Sequence, residues 1–330
     1  MSVLVTGGAG FIGSHVVDRL MEAGEDVVCI DNLDPFYDPE IKKRNIEHNL
    51  EKENFKFIET DIRDKEKMQD IFRGNDISKV IHLAARAGVR PSIKDPVGYV
   101  DVNIRGTINL LELSREYGVE NFIFGSSSSV YGVNKKVPFS EEDRLEKQIS
   151  PYATSKRSAE LFCNTYNHLY NIPITCLRFF TVYGPRQRPE MATHKFTRLI
   201  NQGKEIQMFG DGSSKRDYTY IGDAVEGIIN ALNRKFDFEI FNIGESKTVE
   251  LRYLISVIER CLGRKAVIKK LPDQPGDVPI TSADISKAQR LLGYNPQVPI
   301  EEGVKRFVSW YKGNKNEILI SDIDKRERRD

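Results

Sequence analysis

The chain has 330 residues, of which 39% are hydrophobic and 29% are charged, as is ordinary for a globular protein. Its 49 basic and 48 acidic side chains give a net charge of +1, so charge gives no reason to expect nucleic acid as a partner. No apolar run is long enough to span a membrane, and strand-like "VLVTG" begins at residue 3, which leaves no room for a signal peptide. The four cysteines lack the spacing of metal ligands. We therefore expect a cytoplasmic protein with no metal site and no membrane partner.

Short β-rich runs alternate with helical patterns through the first half of the chain. The predicted strands cover residues 3–6, 26–31, 55–59, 80–84, 122–126 and 174–179. Helical stretches such as "SHVVDRLMEAG" lie between them and end at a glycine. Repeated strand–helix–strand units predict parallel pairing through right-handed crossovers. The predicted fold class is therefore α/β, with a doubly wound parallel sheet of the Rossmann type.

The pattern changes after Phe180, where the chain leads into the loop-like "TVYGPRQRPEMA". We predict that residues 1–178 form the main domain and that residues 217–246 return to its sheet. Residues 179–216 and 247–312 are predicted to form a smaller, discontinuous α/β domain at the carboxyl ends of the strands. Residues 313–330 are mostly charged and are predicted to be a mobile tail.

The first turn from a strand to a helix reads "VTGGAGFIGSH" and carries Gly7, Gly10 and Gly13 on a glycine-rich frame. Such glycines let the backbone approach a pyrophosphate, whose charge then sits at the N-terminus of the helix. A tight turn that binds nothing is the alternative. The position of the turn between a strand and a helix favours a dinucleotide.

Asp31 ends the second predicted strand, where a carboxylate can accept both ribose hydroxyls of an adenosine. Its charge would repel a 2′-phosphate, so NAD is favoured over NADP. An acid that is merely exposed at a strand end is the competing interpretation. The predicted NAD contacts are completed by residues beside these motifs or at the ends of the third and fourth strands: Phe11, Ile12, Asn32, Asp61, Ile62, Leu83, Ala84 and Ala85.

Tyr152 and Lys156, in "SPYATSK", are four residues apart and would share one face of a helix. The same spacing occurs at positions 131 and 135 and at positions 311 and 315. Those two stretches contain Gly and Asn, which argues against a helix. From the spacing alone, Tyr152 and Lys156 could still be an ordinary surface pair.

The motifs "TGGAGFIG", "HLAA", "SSSSVYG", "YATSK" and "RFFTVYGPR" occur in this order. With them the chain resembles the extended short-chain dehydrogenases/reductases over residues 1–310. The resemblance implies that Tyr152 and Lys156 are catalytic and that Ser127 bridges the sugar hydroxyl and Tyr152. It also implies that NAD is contacted by Asn103, Ser126, Tyr152, Lys156 and Phe179. For Ser126 a simple turn cap is a strong rival interpretation.

The chemistry explains why such a pair is needed. A hydride can leave a sugar carbon only if the hydroxyl proton leaves too, and a free tyrosine, with a pKa of about 10, is a poor base at neutral pH. We expect the ammonium of Lys156 and the positive nicotinamide ring to favour the phenolate of Tyr152. Lys156 should also hold the nicotinamide ribose.

Positions 128 and 129 distinguish among the reactions of this family. The 4,6-dehydratases carry an Asp-Glu pair just before V-Y-G, and the UDP-glucuronate decarboxylases carry a Glu there, whereas this chain has Ser128 and Ser129. The reaction that remains is reversible oxidation at C4, which is 4-epimerisation. "AGVRPS" and "RFFTVYGPRQRPEMA" are most similar to UDP-glucuronate 4-epimerases. A UDP-glucose/UDP-galactose 4-epimerase and a non-catalytic NAD-binding sensor are the alternatives.

The resemblance also implies a UDP-sugar pocket and a homodimer formed through the helices that start near residues 103 and 152. The predicted substrate contacts are Arg90, Ser127, Ser128, Ser129, Thr181, Arg188, Ala192, Gln207, Phe209, Arg216 and Asp277. Gln274 stands where related galactose epimerases have an arginine, which puts one diphosphate contact in question.

The resemblance to UDP-glucuronate 4-epimerases implies that Arg188 faces the C5 carboxylate of the sugar, and a guanidinium can pair with such a carboxylate in a bidentate way. Oxidation at C4 leaves a keto group β to this carboxylate, and such acids lose CO₂ readily. Loss of CO₂ is easiest when the C–C bond to the carboxylate stands perpendicular to the carbonyl plane, so a carboxylate held away from that angle is protected. The alternative is that Arg188 caps its loop or pairs with Glu190.

Overall fold

The computed structural model describes residues 1–272 and 278–314. Its strands are β1 (Ser2–Thr6), β2 (Asp26–Asp31), β3 (Phe55–Glu59), β4 (Ile77–His82), β5 (Asn121–Ser127), β6 (Ile174–Phe179), β7 (Thr181–Tyr183), β8 (Glu205–Phe209), β9 (Lys215–Tyr220), β10 (Phe238–Ile243), β11 (Thr248–Glu250) and β12 (Val267–Leu271). Its helices are α1 (Phe11–Glu22), α2 (Pro39–Ile46), α3 (Lys65–Gly74), α4 (Val89–Lys94), α5 (Pro96–Val100), α6 (Gly106–Glu116), α7 (Pro151–Tyr170), α8 (Ala192–Gln202), α9 (Ile221–Leu232), α10 (Leu251–Leu262), α11 (Ser286–Leu292) and α12 (Ile300–Gly313). A π-helical turn at Asp101–Arg105 joins α5 to α6, and a 3₁₀ turn at Ser128–Tyr131 follows β5.

Seven strands form one parallel sheet in the order β10-β6-β5-β4-β1-β2-β3. The chain winds outward from β1 to β3 and then, from β4 onward, in the opposite direction. The order therefore reverses between β1 and β4, and α/β proteins bind ligands outside the carboxyl ends of the strands at such a reversal. The prediction of a doubly wound, Rossmann-type sheet is confirmed.

Helices cover both faces of this sheet. Val3 and Val5 of β1 belong to one apolar core and Leu4 to the other, because successive side chains of a strand point to opposite faces. The first core also receives side chains from α1 and α9, and the second receives them from α3, α6 and α7. None of the helices in the described part of the chain combines the length and apolar composition of a membrane span.

The ends of α7, which carries the Tyr152–Lys156 stretch, follow from the local sequence. The Ser150 side chain accepts a hydrogen bond from the N–H of Ala153, and Pro151 occupies the first turn. The helix ends at Asn171, which adopts the left-handed conformation with φ of 56°. The two caps therefore set where α7 begins and ends along the chain.

The smaller region contains two further sheets. β9 lies between β7 and β11 in one of them, and β8 pairs with β12 in the other. β10 returns to the main sheet beside β6, but β9 does not, because it pairs with β7 and β11 in the smaller sheet. The return to the main sheet, expected from residue 217, therefore begins with α9.

Two local expectations also need correction. β4 covers Ile77–His82 rather than residues 80–84. Tyr311 lies inside α12. Gly313 is the last residue of this helix and does not prevent the helix from forming. Gln274, Asp277 and the part of the predicted tail that follows Asn314 lie outside the described residues.

Candidate active site

A cavity of about 460 Å³ opens at the carboxyl ends of the main strands, a size typical of small-molecule sites. The predicted NAD contacts that line it are Gly7, Gly10, Phe11, Ile12, Gly13, Asp31, Asn32, Asp61, Ile62, Leu83, Ala84, Ala85, Ser126, Tyr152, Lys156 and Phe179. The predicted substrate contacts that line it are Ser127, Ser128, Ser129, Thr181 and Arg188. The glycine turn, the Tyr-Lys pair and the loop arginine therefore share one cavity.

The glycine turn is open because it lacks side chains. Gly7 has φ of 68°, and a Cβ on it would lie only 2.8 Å from the amide nitrogen of Ala84. A Cβ on Gly13 would collide with the carbonyl oxygen of Gly7, so this glycine lets α1 begin directly against the turn. Gly10 precedes the first residue of α1, where free N–H groups can bind a phosphate. The turn therefore fits the pyrophosphate of a dinucleotide.

The carboxylate of Asp31 lies at the end of β2, where the adenosine ribose is expected. It accepts the N–H of Leu33 at 2.8 Å and lies 3.6 Å from the ammonium of Lys42. Burial raises the pKa of Asp31, although the charge of Lys42 opposes this effect. The position of Asp31 fits the ribose of NAD, and Lys42 places a positive charge next to the Asp31 carboxylate.

Asp61 follows β3 at the predicted adenine edge. Its two carboxylate oxygens accept hydrogen bonds from the Arg63 guanidinium, each at 2.9 Å. The Asn32 amide donates to the same carboxylate at 2.7 Å. These contacts tie the end of β2 to the end of β3 at the rim of the cavity.

Tyr152 and Lys156 both reach the cavity from one face of α7. Burial raises the pKa of Tyr152, while a hydrogen bond with Ser127 and the charge of Arg188 act to lower it. The Lys156 ammonium donates to the carbonyl of Gly125 at 2.6 Å, and burial lowers the pKa of Lys156 to about 8. The effect of Lys156 on the phenol stays a prediction, whereas Arg188 emerges as a positive charge that acts on it.

The serines at the carboxyl end of β5 have hydrogen-bond partners within the protein. The Ser127 oxygen accepts the N–H of Ser129, and its hydroxyl donates to the Ser129 hydroxyl, both at 3.2 Å. Ser126 donates to the buried carboxylate of Glu160 at 2.6 Å. Ser127 therefore caps the 3₁₀ turn and lines the cavity at the same time.

The loop between β7 and α8 is anchored to α1. A ring nitrogen of His15 lies 3.0 Å from the Pro185 carbonyl, and Arg186 donates to Asp18 at 2.7 Å. Burial, with the charge of Arg186, lowers the pKa of His15 to about 4, so the imidazole is neutral at pH 7 and donates to this carbonyl. These contacts bring the loop to the edge of the nucleotide site.

Arg188 lies on this anchored loop. Its Nε is 3.1 Å from the Glu190 carboxylate, and its guanidinium is 5.9 Å from the centre of the Phe36 ring. The ion pair with Glu190, the alternative that the sequence left open, is therefore present. The same side chain nevertheless lines the cavity with Tyr152.

Several predicted contacts do not line this cavity: Asn103, Arg90, Ala192, Gln207, Phe209 and Arg216. Asn103 is buried behind the wall, where its amide binds the backbone N–H and carbonyl of Arg86 and the hydroxyl of Ser155. It therefore holds the segment after β4 in place instead of reaching the cavity.

The other residues in this set belong to the segment after β4 or to the smaller region. The Arg90 guanidinium lies 5.1 Å from the centre of the Phe209 ring, so these two predicted contacts meet each other. Arg216 donates to the carbonyl of Lys215 at 2.9 Å, and Gln207 is exposed on β8. Their roles in substrate binding stay predictions.

The cavity also contains side chains that the sequence analysis did not single out, among them Tyr37, Lys42, Arg86, Tyr99 and Met191. Tyr99 packs edge-on against Tyr152, with ring centres 6.2 Å apart, and donates its hydroxyl to the carbonyl of Ala87 at 2.9 Å. The Lys42 side chain is only 9% exposed, whereas that of the adjacent Lys43 is 52% exposed. Only the periodicity of α2 could have distinguished these two lysines.

Comparison with known proteins gives the family. The family model described as GDP-mannose 4,6-dehydratase matches residues 4–307 of the chain. The chain belongs to this family. This family lies within the short-chain dehydrogenases/reductases. The relatives of the chain in it include nucleotide-sugar epimerases.

Individual members of the family are similar along nearly their whole length. The chain is 45% identical over 312 residues to a UDP-glucuronate 4-epimerase of Thermodesulfobacterium geofontis, covering 94% of this chain and 96% of that protein. A crystal structure of UDP-glucuronic acid 4-epimerase from Bacillus cereus, in complex with UDP-glucuronic acid and NAD, has a TM-score of 0.89 and 40% identity, covering 95% of this chain and 99% of that chain. A UDP-glucose 4-epimerase from Thermotoga maritima, crystallised with UDP-glucose, has a TM-score of 0.88 and 38% identity, covering 96% of this chain and 100% of that chain.

Proposed function

We propose that this protein is an NAD-dependent 4-epimerase that interconverts UDP-glucuronate and UDP-galacturonate. The observation that carries the proposal is that Arg188 lines the same cavity as Tyr152, Lys156 and the glycine turn. A guanidinium at that position can bind the one group that distinguishes a uronic acid from a neutral hexose. The similarity to UDP-glucuronate 4-epimerases along nearly the whole chain supports the same substrate.

Tyr152 is the general base that removes the proton of the C4 hydroxyl, and Ser127 shares the hydrogen bond between that hydroxyl and the phenol. Lys156 holds the ribose next to the nicotinamide. NAD, when bound, supplies the acceptor for the C4 hydride and its donor on the return. After the 4-keto sugar has turned over inside the cavity, Tyr152 gives the proton back to the C4 oxygen, and the epimer is formed with no net oxidation.

The acids of the cavity support epimerisation rather than elimination of water. The carboxylates among its described lining residues are Asp31, Asp34, Asp61 and Asp95. Asp31 ends β2, Asp34 and Asp61 follow β2 and β3 at the adenosine end, and Asp95 pairs with Arg86. Ser128 and Ser129, which line the same cavity as Tyr152, carry hydroxyls, which cannot act as the acid and base of a dehydratase.

The test is to incubate the purified protein with UDP-glucuronate and, separately, with UDP-glucose, and to identify the products by NMR. We expect UDP-galacturonate from UDP-glucuronate without added NADPH. Arg188→Ala should lose this activity by about 2–5 kcal/mol, the range for truncating one partner of a buried charge pair. Its residual turnover should release CO₂ and a UDP-pentose.

Glu190→Gln provides the matched control. If the arginine serves the substrate, removing its protein partner leaves UDP-glucuronate turnover intact or faster. If Arg188 serves only the ion pair with Glu190, the two substitutions impair the protein equally, and the proposed role of Arg188 is refuted.

Epimerisation of UDP-glucose is the second candidate, because the Thermotoga maritima enzyme crystallised with that sugar nucleotide has the same fold along the whole chain. Turnover of UDP-glucose alone, together with no effect of Arg188→Ala, would favour it. Turnover of neither sugar, with NAD bound, would favour a sensor.

We also propose that the protein is a homodimer and acts in the cytoplasm. The helices α5 and α7 pack together and expose the apolar side chains of Val97, Val100, Leu161 and Phe162, which a second copy would cover. All four cysteines are free thiols, as in a reducing compartment. Sedimentation of the wild type and of a Val97→Glu/Leu161→Glu variant tests the dimer, since the variant should be a monomer.

A further inference from the structure

The loop that carries Arg188 begins with a turn whose backbone is strained. The N–H of Gln187 donates to the carbonyl of Gly184 at 3.1 Å, which closes a β-turn with Pro185 in second place and Arg186 in third. Arg186 has φ of 62°. Because proline requires a negative φ, a positive φ at the next residue is that of a type II turn, whose third position favours glycine. An arginine there is strained and needs a compensating contact.

That contact is an ion pair with α1. The Arg186 guanidinium donates to one carboxylate oxygen of Asp18 at 2.7 Å, and the two side chains are only 20% and 22% exposed. The other oxygen accepts hydrogen bonds from His48 at 2.7 Å and from Asn49 at 2.8 Å. Burial acts to raise the pKa of Asp18, but the charge of Arg186 and these hydrogen bonds hold it below its usual value. Asp18 is therefore an anion at neutral pH.

The same face of α1 holds a second point of the turn. His15 lies three residues before Asp18, and a ring nitrogen of His15 lies 3.0 Å from the carbonyl of Pro185. Two side chains of α1 thus hold two consecutive residues of the turn. The first three residues of α1 line the nucleotide end of the cavity. The helix that follows the glycine turn therefore also anchors the loop at the sugar end.

The next residue ties the loop to the smaller region instead. The side-chain amide of Gln187 donates to a carbonyl of β7 at 3.1 Å, and its own carbonyl lies 2.6 Å from a ring nitrogen of His194 on α8. Among the described residues, Arg188 lines the cavity with Tyr152, whereas Arg186 points toward α1. The turn therefore joins the main domain, which carries Tyr152, to the smaller region, and Arg188 lies at this junction.

We propose that Asp18 and Arg186 are positioning residues for the proposed reaction: their ion pair holds the turn in its strained conformation and thereby fixes the guanidinium of Arg188 relative to Tyr152. The role rests on the proposed function in that Arg188 binds the C5 carboxylate of the sugar. A carboxylate that is held loosely can reach the angle from which the 4-keto sugar loses CO₂. The ion pair therefore suppresses decarboxylation from outside the cavity.

Decarboxylation provides a readout of this positioning. Loss of CO₂ breaks the bond from C5 to the carboxylate carbon, and its electron pair forms an enolate that takes a proton from solvent at C5. The ketone then accepts the hydride that C4 gave up in the first step, so the product is a UDP-pentose with no net oxidation. The ratio of UDP-pentose to UDP-galacturonate therefore reports how firmly the carboxylate is held, and it does not depend on the amount of folded enzyme.

The main test is Arg186→Gly, because glycine fits the turn without strain and removes the link to Asp18. We expect the variant to fold. The ratio of UDP-pentose to UDP-galacturonate, measured by NMR, should rise by roughly tenfold, and kcat/KM for UDP-glucuronate should fall by up to about 10²-fold. Asp18→Ala removes the other end of the ion pair and should raise the ratio to a similar extent. Because both substitutions remove one contact, combining them should add little.

Arg19→Ala is the matched control. Arg19 is the next residue of α1, and its guanidinium lies 3.9 Å from Glu226 of α9 rather than from a residue of the loop. This variant should leave the product ratio and KM unchanged. An equal rise of the ratio in Arg19→Ala would contradict the proposal, because any change in α1 would then disturb the loop. If Asp18→Ala does not fold, Asp18→Asn takes its place, since it removes the charge and keeps the shape of the side chain.

Hydrogen exchange separates this proposal from the proposed function. Asp18→Ala leaves the sequence of residues 184–191 unchanged, so their amides should exchange faster than in the wild type once the ion pair is lost. Faster exchange in a protein that turns over no UDP-glucuronate supports the anchoring of the turn and refutes the proposed function instead. With UDP-glucuronate turned over, an unchanged product ratio in the folded Arg186→Gly and Asp18 variants overturns the proposal, whatever the exchange of the loop.

Discussion

The two ends of the cavity differ in how directly their residues could be predicted. At the NAD end, every predicted contact except Asn103 lines the cavity. At the sugar-nucleotide end, only Ser127, Ser128, Ser129, Thr181 and Arg188 do so, whereas Arg90, Phe209 and Arg216 pack elsewhere. The first end is built from the carboxyl ends of adjacent parallel strands. The second is assembled from segments that are separated by long stretches of chain.

The difference shows that a sequence motif predicts a ligand contact well when a single turn, strand end or helix both carries the motif and sets the direction in which its residues face. The glycine turn, the end of β2 and the first turns of α7 are such elements. A contact from β8 or β9 depends instead on how the smaller sheets pack against the main one, and on which side chains substrate draws inward. The experiments below test that distinction.

The largest effect is expected at Tyr152, where both ends of the cavity meet. Tyr152→Phe should lower kcat by at least ~10²-fold, the usual scale for loss of a general base, and NAD should stay bound because the glycine turn and Lys156 remain. Tyr131→Phe is the control, since its hydroxyl binds Arg178 and Asn242 behind the cavity. That variant should lose stability in urea rather than turnover, and an equal loss of kcat would contradict the choice of Tyr152.

The next effect concerns the sugar-nucleotide end. If substrate draws Arg216 from the Lys215 carbonyl to the diphosphate, Arg216→Ala should raise KM by roughly 10- to 100-fold, as for loss of a charge-assisted hydrogen bond of about 1.5–3 kcal/mol. Lys215→Ala is the matched control. A KM unchanged in Arg216→Ala would mean that this end of the cavity is complete without β9.

A smaller effect is expected at the NAD end, where Lys42 modifies the prediction made from Asp31 alone. Asp31→Ser removes the carboxylate and leaves the ammonium 3.6 Å away, so the preference for NAD over NADP should fall by about tenfold, or ~1.4 kcal/mol. Adding Lys42→Met to the Asp31→Ser variant should weaken the binding of NADP again. Equilibrium dialysis with both cofactors measures this, and a preference unchanged by Asp31→Ser would show that the adenosine ribose is read by other groups.

The smallest effect tests the stability of the two regions separately. Burial lowers the pKa of His82 in the main sheet to about 3, and that of His194 on α8 to about 4. Both values lie below the unfolded value of about 6.5, so the unfolded state takes up protons first and the free energy of unfolding falls as the pH drops below 6.5. His194→Gln should reduce this slope by up to ~1.4 kcal/mol per pH unit.

Urea unfolding at pH 7 and pH 5 measures that slope, with the exposed His168→Gln as control. A separate acid transition of the smaller region, abolished by His194→Gln, would show that the two regions unfold as independent units. A slope unchanged in His194→Gln would mean that this imidazole takes up its proton over the same pH range in the folded and the unfolded protein.

The sequence by itself determined the parallel sheet, the turn that receives a pyrophosphate and the helical face shared by Tyr152 and Lys156. Each of these follows from local physics: hydrophobic periodicity, the freedom of glycine near a tight turn, and the 3.6-residue repeat of α7. The start of α7 could likewise be predicted from Ser150 and Pro151, because caps are short-range interactions.

Only the tertiary structure decided which of the charged and polar side chains reach the cavity. The periodicity of α2 puts Lys42 and Lys43 on different faces of the helix, but only the packing of α2 decides that Lys42 is the one buried beside Asp31 while Lys43 is exposed. Glu160 is an unremarkable acid on a charged helix until Arg178 of β6 is placed against it. A contact between side chains far apart in sequence depends on how whole elements pack, and no local pattern carries that information.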